Sequence, residues 1–194
     1  MRHPGPLGTR VARCLCMFLL ALPVLMPVAA SAADGVSETE VRAVFLYNFA
    51  SFVRWPDAVG KAAPQPFRYC VLDDDLAPVL DKVLRGERIE GRALTLVREV
   101  SGADLPECHV LYVGRARLER GQGWELVREG GEAQVLTVSD LEGFEGRGGM
   151  VALVPKDRRI RPVINIDAVE RAALRVSAKL LGLATVTRDA EARN

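Results

Sequence analysis

The residues of this chain that could carry chemistry are a serine beside an aspartate, one histidine, a run of three aspartates, a glycine-rich segment with an arginine, a pair of cysteines and a tryptophan next to proline. A serine hydrolase of the common α/β kind needs Gly-x-Ser-x-Gly on a strand-to-helix turn and a histidine base. No such pentapeptide occurs. Ser139-Asp140 ends an apolar run, but past the first three dozen residues His109 is the sole histidine, so a triad lacks support. Asp73-Asp74-Asp75 offers carboxylates without the alternating spacing and distal glutamate of a calcium loop. Placed ahead of an apolar helical run, it reads as helix capping and dipole pairing. Gly143-Phe-Glu-Gly-Arg-Gly-Gly149 has the glycines to cradle phosphate, which requires the loop to open a helix. Here it leads into Met150–Val154, a strand pattern. A tight turn or bulge with positive φ is the plain reading, and an anion nest at Arg147 is the functional one. Trp55 either anchors a partner or packs the end of its helix. No zinc set is implied, since His109 stands directly beside Cys108, and no cofactor motif is found.

These side chains need elements to hold them. Ser37-Glu-Thr-Glu40 is a capping box. Val41, Val44, Phe45, Phe49, Phe52 and Val53 follow it at helical spacing, and Trp55-Pro56 stops the helix. Residues 57–66 read as a loop. Strands are expected at Phe67–Leu72, Ala93–Val100, Cys108–Val113 and Gln134–Val138. Helices are expected at Leu76–Leu84 and Arg115–Glu129, the second weakened by Gly121 and Gly123. Met150–Val154 and Ile160–Ile166 read as a hairpin across the polar turn Pro155–Arg159. Asp167 would cap a last helix presenting Val169, Ala173, Val176, Leu180 and Leu183. Apolar strands alternating with helices point to an α/β fold: a three-layer, sandwich-like domain with a central, mainly parallel sheet and a C-terminal hairpin plus helix. At a carboxyl-end rim of such a sheet, Asp73, Ser139, Asp140 and Arg147 would meet.

The first 33 residues have a different composition. Arg2, Arg10 and Arg13 precede an uncharged apolar run from Cys14 to Ala30, and Ala30-Ser31-Ala32 suits signal peptidase. Carrying Pro23 and Pro27, the run of about 17 residues is short for a spanning helix, which needs roughly 20. Residues 1–33 are thus expected to be a removed signal peptide, 34–188 a single domain and 189–194 a disordered tail. The remaining chain holds 23 basic and 25 acidic residues, no footprint for nucleic acid, and no second span. Two of four cysteines leave with the leader. Cys70 and Cys108, in an oxidising compartment, read as one disulfide or as two buried thiols.

Several segments together resemble the YfiR-like family of bacterial periplasmic proteins. They are Val41–Pro56 with its Tyr-Asn-Phe and closing Trp-Pro, Phe67–Leu72, Cys108–Val113, Val135–Asp140, Arg147-Gly-Gly-Met150, Ile164-Asn-Ile166 and Lys179–Ala184. The resemblance implies a compact α/β domain with a mostly parallel sheet, often dimeric, that acts as a regulator and not as an enzyme. Its best-known member represses an inner-membrane diguanylate cyclase through the cyclase's periplasmic sensor domain and lowers cyclic-di-GMP and biofilm formation. Cys70 and Cys108 sit where the family has a cysteine pair, which favours the disulfide. A further family pair near the glycine-rich segment has no counterpart here. The resulting expectation is a soluble periplasmic negative regulator whose partner is such a cyclase or a similar sensor, with a homodimer as a further contact. The alternative is a periplasmic small-ligand binding protein serving a transporter or receptor.

Overall fold

The computed structural model describes residues 36–56 and 65–189. The expected leader, and all of the expected tail except Asp189, lie outside the described residues. The capping box forms as read: Ser37 Oγ accepts from the Glu40 amide at 3.2 Å, and Glu40 Oε2 accepts from the Ser37 amide at 2.8 Å. It opens α1, Glu38–Phe52. The face α1 buries differs from the expected stripe. Ala43, Leu46, Phe49 and Ala50 point inward, while Val41, Phe45 and Phe52 are half-buried and Val44 is exposed. Nearly every side of this helix carries apolar groups, so spacing alone had no single face to choose.

After α1 come β1 (Val53–Arg54), β2 (Phe67–Leu72), α2 (Leu76–Leu84), β3 (Arg88–Ile89) and β4 (Arg92–Val97). Then follow β5 (Val110–Val113), α3 (Arg115–Glu119), α4 (Trp124–Glu132) and β6 (Leu136–Ser139). The expected single helix over 115–129 is therefore two. The chain turns between them at Gly121 and Gly123, with φ of 78° and 90°, a region a side chain would strain. The chain closes with β7 (Val151–Lys156), β8 (Arg159–Asn165), α5 (Ile166–Arg171), β9 (Arg175–Val176), α6 (Ala178–Leu181) and β10 (Thr185–Thr187).

Strands β7 and β8 are the expected antiparallel hairpin, with Lys156 opposite Arg159. Its tip residues Asp157 and Arg158 both have positive φ, as a tight two-residue loop between twisted strands requires. The expected last helix is broken. Asn165, not Asp167, caps α5 by accepting from the Ala168 amide at 3.1 Å. Ala173 then enters the left-handed region with φ of 57°. That reversal buries Leu174 and sends β9 to pair with β1, Val53 opposite Val176. Ser177 restarts a helical turn as the cap of α6.

The main sheet runs β10-β8-β7-β6-β5-β2-β4-β3. All neighbours from β4 through β7 are parallel, β10 is parallel to β8, and β7–β8 and β3–β4 are antiparallel. This is the mainly parallel, three-layer α/β architecture. Side chains alternate across it. Tyr69, Val71, Val110 and Tyr112 join α1 and α2 in one core, while Cys70, Leu72, Leu111 and Val113 join α3, α4 and the turn of 3-10 helix at Gly102–Glu107 in another. Each fully buried Leu or Phe in these cores contributes roughly 1.5–3 kcal/mol.

Candidate functional site

In the parallel part of the sheet, β2 connects outward to β4, and the chain then returns past β2 to β5 and onward to β6 and β7. The direction of winding thus reverses between β2 and β5. In open α/β sheets the crevice outside the carboxyl ends at such a reversal is the usual ligand position. Asp73 follows β2 there, Gly114 and Arg115 follow β5, and Asp140 follows β6.

The carboxylates at this point are turned on the protein's own backbone. Asp73 Oδ1 accepts from the amides of Leu76 at 2.7 Å and Asp75 at 3.1 Å, capping α2. Its other oxygen lies so close to Gly114 that a Cβ there would collide with it, and glycine is what lets the two strand ends approach. Asp140 Oδ1 accepts from the Arg115 amide at 2.7 Å. Beneath them the fully buried Tyr112 donates its hydroxyl toward Asp140. Arg42 of α1 approaches the same cluster while its Nε donates to Leu153 O at 3.4 Å and its terminal nitrogen pairs with Glu38 at 2.9 Å. Burial, reinforced by the charge of Asp140, raises the Asp73 carboxyl above its ordinary value, although the Leu76 amide pulls the other way. Burial, then Asp140 and Asp73, push the Tyr112 hydroxyl upward as well. The cluster therefore clasps strand ends. Among the described residues no group of three His, Cys, Asp or Glu is arranged to hold a metal ion.

The expected rim is only partly assembled. Asp73 and Asp140 share the reversal point. Ser139 is fully buried beside them, donating to Val113 O at 2.7 Å and accepting from the Leu141 amide at 3.1 Å, so its hydroxyl serves the fold. Arg147 stands apart. It is exposed in a groove between α4 and α5, with its guanidinium 5.7 Å from the centre of the Trp124 ring. Arg147 is separated from the rim because the glycine-rich segment follows β6 but leads back to the amino end of β7, away from Asp73.

At the opposite, amino end of the sheet lies a second groove of about 1,000 Å³ that includes Trp55, Phe67, Arg92 and His109. Trp55 is half-buried: its Nε1 donates to His109 O at 3.0 Å and its ring meets Phe67 edge-on at 4.9 Å. Both ring nitrogens of His109 face donors, the Arg68 amide at 3.2 Å and an Arg92 guanidinium nitrogen at 2.6 Å. A neutral imidazole has a single acceptor nitrogen, so the ring accepts from one of these two donors and not from both at once. Arg68 in turn pairs with Glu107. Behind this groove Cys70 and Cys108 are joined as a disulfide, their Cα atoms 5.9 Å apart.

Residues 39–185 match the model of a protein family, DUF4154, described as YfiR/HmsC-like. The chain belongs to this family. The match runs from the first turn of α1 into β10 and so takes in both ends of the sheet and the disulfide. No curated protein sequence matches the chain. Among solved structures, a conserved domain protein from Vibrio cholerae O1 biovar El Tor is similar at 13% identity with a TM-score of 0.52, over 77% of this chain and 60% of that one. This chain therefore spans less than two thirds of that protein, and the likeness concerns the fold. An ABC domain from Streptococcus pneumonia, solved with L-Trp, reaches a TM-score of 0.42 at 8% identity over 62% of this chain and 54% of that one.

Tyr112, Arg42 and Trp124 were not singled out from the sequence. Tyr112 had a signal, a polar tip in an otherwise apolar strand that must find a partner when buried. Arg42 and Trp124 reach their sites only through packing of distant segments.

Proposed function

We propose that this protein is a periplasmic negative regulator that binds the periplasmic sensor domain of an inner-membrane diguanylate cyclase, or of a similar sensor, and lowers cyclic-di-GMP signalling and biofilm formation. Membership of the YfiR/HmsC-like family over residues 39–185 carries this reading. The leader pattern in residues 1–33 agrees with export, and a disulfide is at home in an oxidising compartment. No helix among the described residues is long and apolar enough to cross a membrane. At the sheet's reversal point, where an α/β enzyme places its substrate, this chain has carboxylates bound to its own amides.

A regulator of this kind works by differential affinity. Binding the cyclase's inactive state more tightly than its active state shifts the population in proportion to that difference. The exposed edge of Trp55 in the amino-end groove is a contact such a partner would use, and a homodimer is a second mode of association. Deleting the gene should raise cyclic-di-GMP and surface attachment, and tagged protein should capture a membrane sensor from detergent extracts. Unchanged cyclic-di-GMP in the deletion strain, with no sensor captured, would remove the regulatory reading.

A further inference from the structure

We propose that the groove between α4 and α5 is a binding site for a small organic carboxylate with an apolar body. The inference does not depend on the regulatory reading. The groove encloses about 510 Å³, within the range of about 300–1,000 Å³ typical of small-molecule sites. Its floor is apolar and buried, formed by Val127, Met150 and Ala168. Gly131 contributes no side chain to the wall, and a Cβ there would stand 3.8 Å from the Met150 methyl. One end is closed by Trp124. Its indole N–H is already given to Leu118 O at 3.1 Å, and Phe144 supports the ring with centroids 5.8 Å apart. The indole is thereby held as a fixed apolar wall.

The charges at the mouth decide the ligand's sign. Arg128 is engaged by Glu125, Glu129 and Glu132 of its own helix, and Arg171 pairs with Asp189. Arg147 has no carboxylate partner among the described residues. Its guanidinium is poised over the Trp124 ring, with donors that fit a carboxylate in bidentate fashion. An apolar floor with one uncommitted, oriented guanidinium at its lip selects an amphipathic anion. Inorganic phosphate would leave the floor wet, and an alcohol of the same body would leave Arg147 without a counter-charge.

The test uses the full exported chain and a series of phenylalkanoates, with 4-phenylbutyrate as the lead probe and 4-phenylbutanol and inorganic phosphate as controls. Binding is read by calorimetry and by the two indole N–H resonances. We expect 4-phenylbutyrate to bind and move the Trp124 resonance, with the alcohol weaker by about tenfold and Arg147→Gln costing a similar factor. Gly131→Leu, which fills the groove from a helical position, should abolish binding while the protein stays folded. Absence of binding by every member of the series at about 5 mM would overturn the proposal. So would equal affinity for acid and alcohol, or binding that moves only the Trp55 resonance.

Discussion

Replacing both bridged cysteines, Cys70→Ala with Cys108→Ala, tests how much of the fold's stability rests on one covalent link. Strands β2 and β5 are already neighbours, with Cys70 opposite Leu111, so the bridge adds no new sheet contact. Its effect lies in the unfolded chain, where it closes a loop of sequence separation 38. The chain-entropy relation gives about 13 cal/mol/K for that length, or roughly 4 kcal/mol at 25 °C. Both sulfurs are also buried against Leu72, Leu105 and Leu111, and removing them leaves a small void worth about 1 kcal/mol. The variant should therefore lose roughly 4–5 kcal/mol. In urea, with a slope of about 2 kcal/mol/M, the midpoint should fall by about 2 M. Wild-type protein unfolded in the presence of reductant should fall by nearly as much, since it loses the same constraint. A variant within about 1 kcal/mol of oxidised wild type would refute the entropic account. Two freely alkylated thiols in native protein digested without reductant would refute the bond itself.

Three other outcomes follow from local geometry. Asp73 titrates above its ordinary value in the fold, so as pH rises from about 4 the unfolded chain releases that proton first and the native state loses stability up to the raised value. Asp73→Asn keeps an acceptor for the Leu76 amide and removes this loss, so its urea midpoint relative to wild type should climb between acid and neutral pH; a constant offset would contradict the burial argument. Ser37→Ala removes the hydroxyl that accepts from the Glu40 amide and donates to the Glu40 carboxylate, leaving only the Ser37 amide on that carboxylate, and should cost about 1 kcal/mol in thermal or urea unfolding. Ala173→Gly relieves a left-handed alanine with φ of 57° and should stabilise by up to about 1 kcal/mol, net of the greater freedom glycine gives the unfolded chain; a lower melting temperature would show that the turn needs the methyl group.

Strong local patterns were legible in the sequence. Apolar strands such as Cys108–Val113, the capping box at Ser37 and the polar turn before Arg159 each have a mechanism that acts over a few residues. What escaped depends on tertiary choice. Three-residue β10 and two-residue β1 and β9 carry no pattern of their own and exist because a partner strand is present. Ala173 looks like a helix former, yet it reverses the chain because Leu174 gains burial and β9 gains a partner. At the candidate sites, Asp73 and Asp140 were foreseen as neighbours from the strand order. Arg147 was not separable from them, because only the path from β6 to β7 shows which end of the sheet it reaches.

The ribbon of β1 and β9, with the Ser177 amide donating to Phe52 O at 2.8 Å, fastens the close of the first helix to a segment more than a hundred positions downstream. While the polypeptide is being made, β2, β4 and β5 can find one another early, but residues 52–54 must wait for 175–177 to appear. Such a distant closure is slow to form and gains its contacts late. A nascent or truncated chain that stops short of Arg175 would hold a partial sheet whose first helix packs on α2 but lacks the ribbon that ties down its end. It would present apolar surface to chaperones and proteases until the last strands arrive.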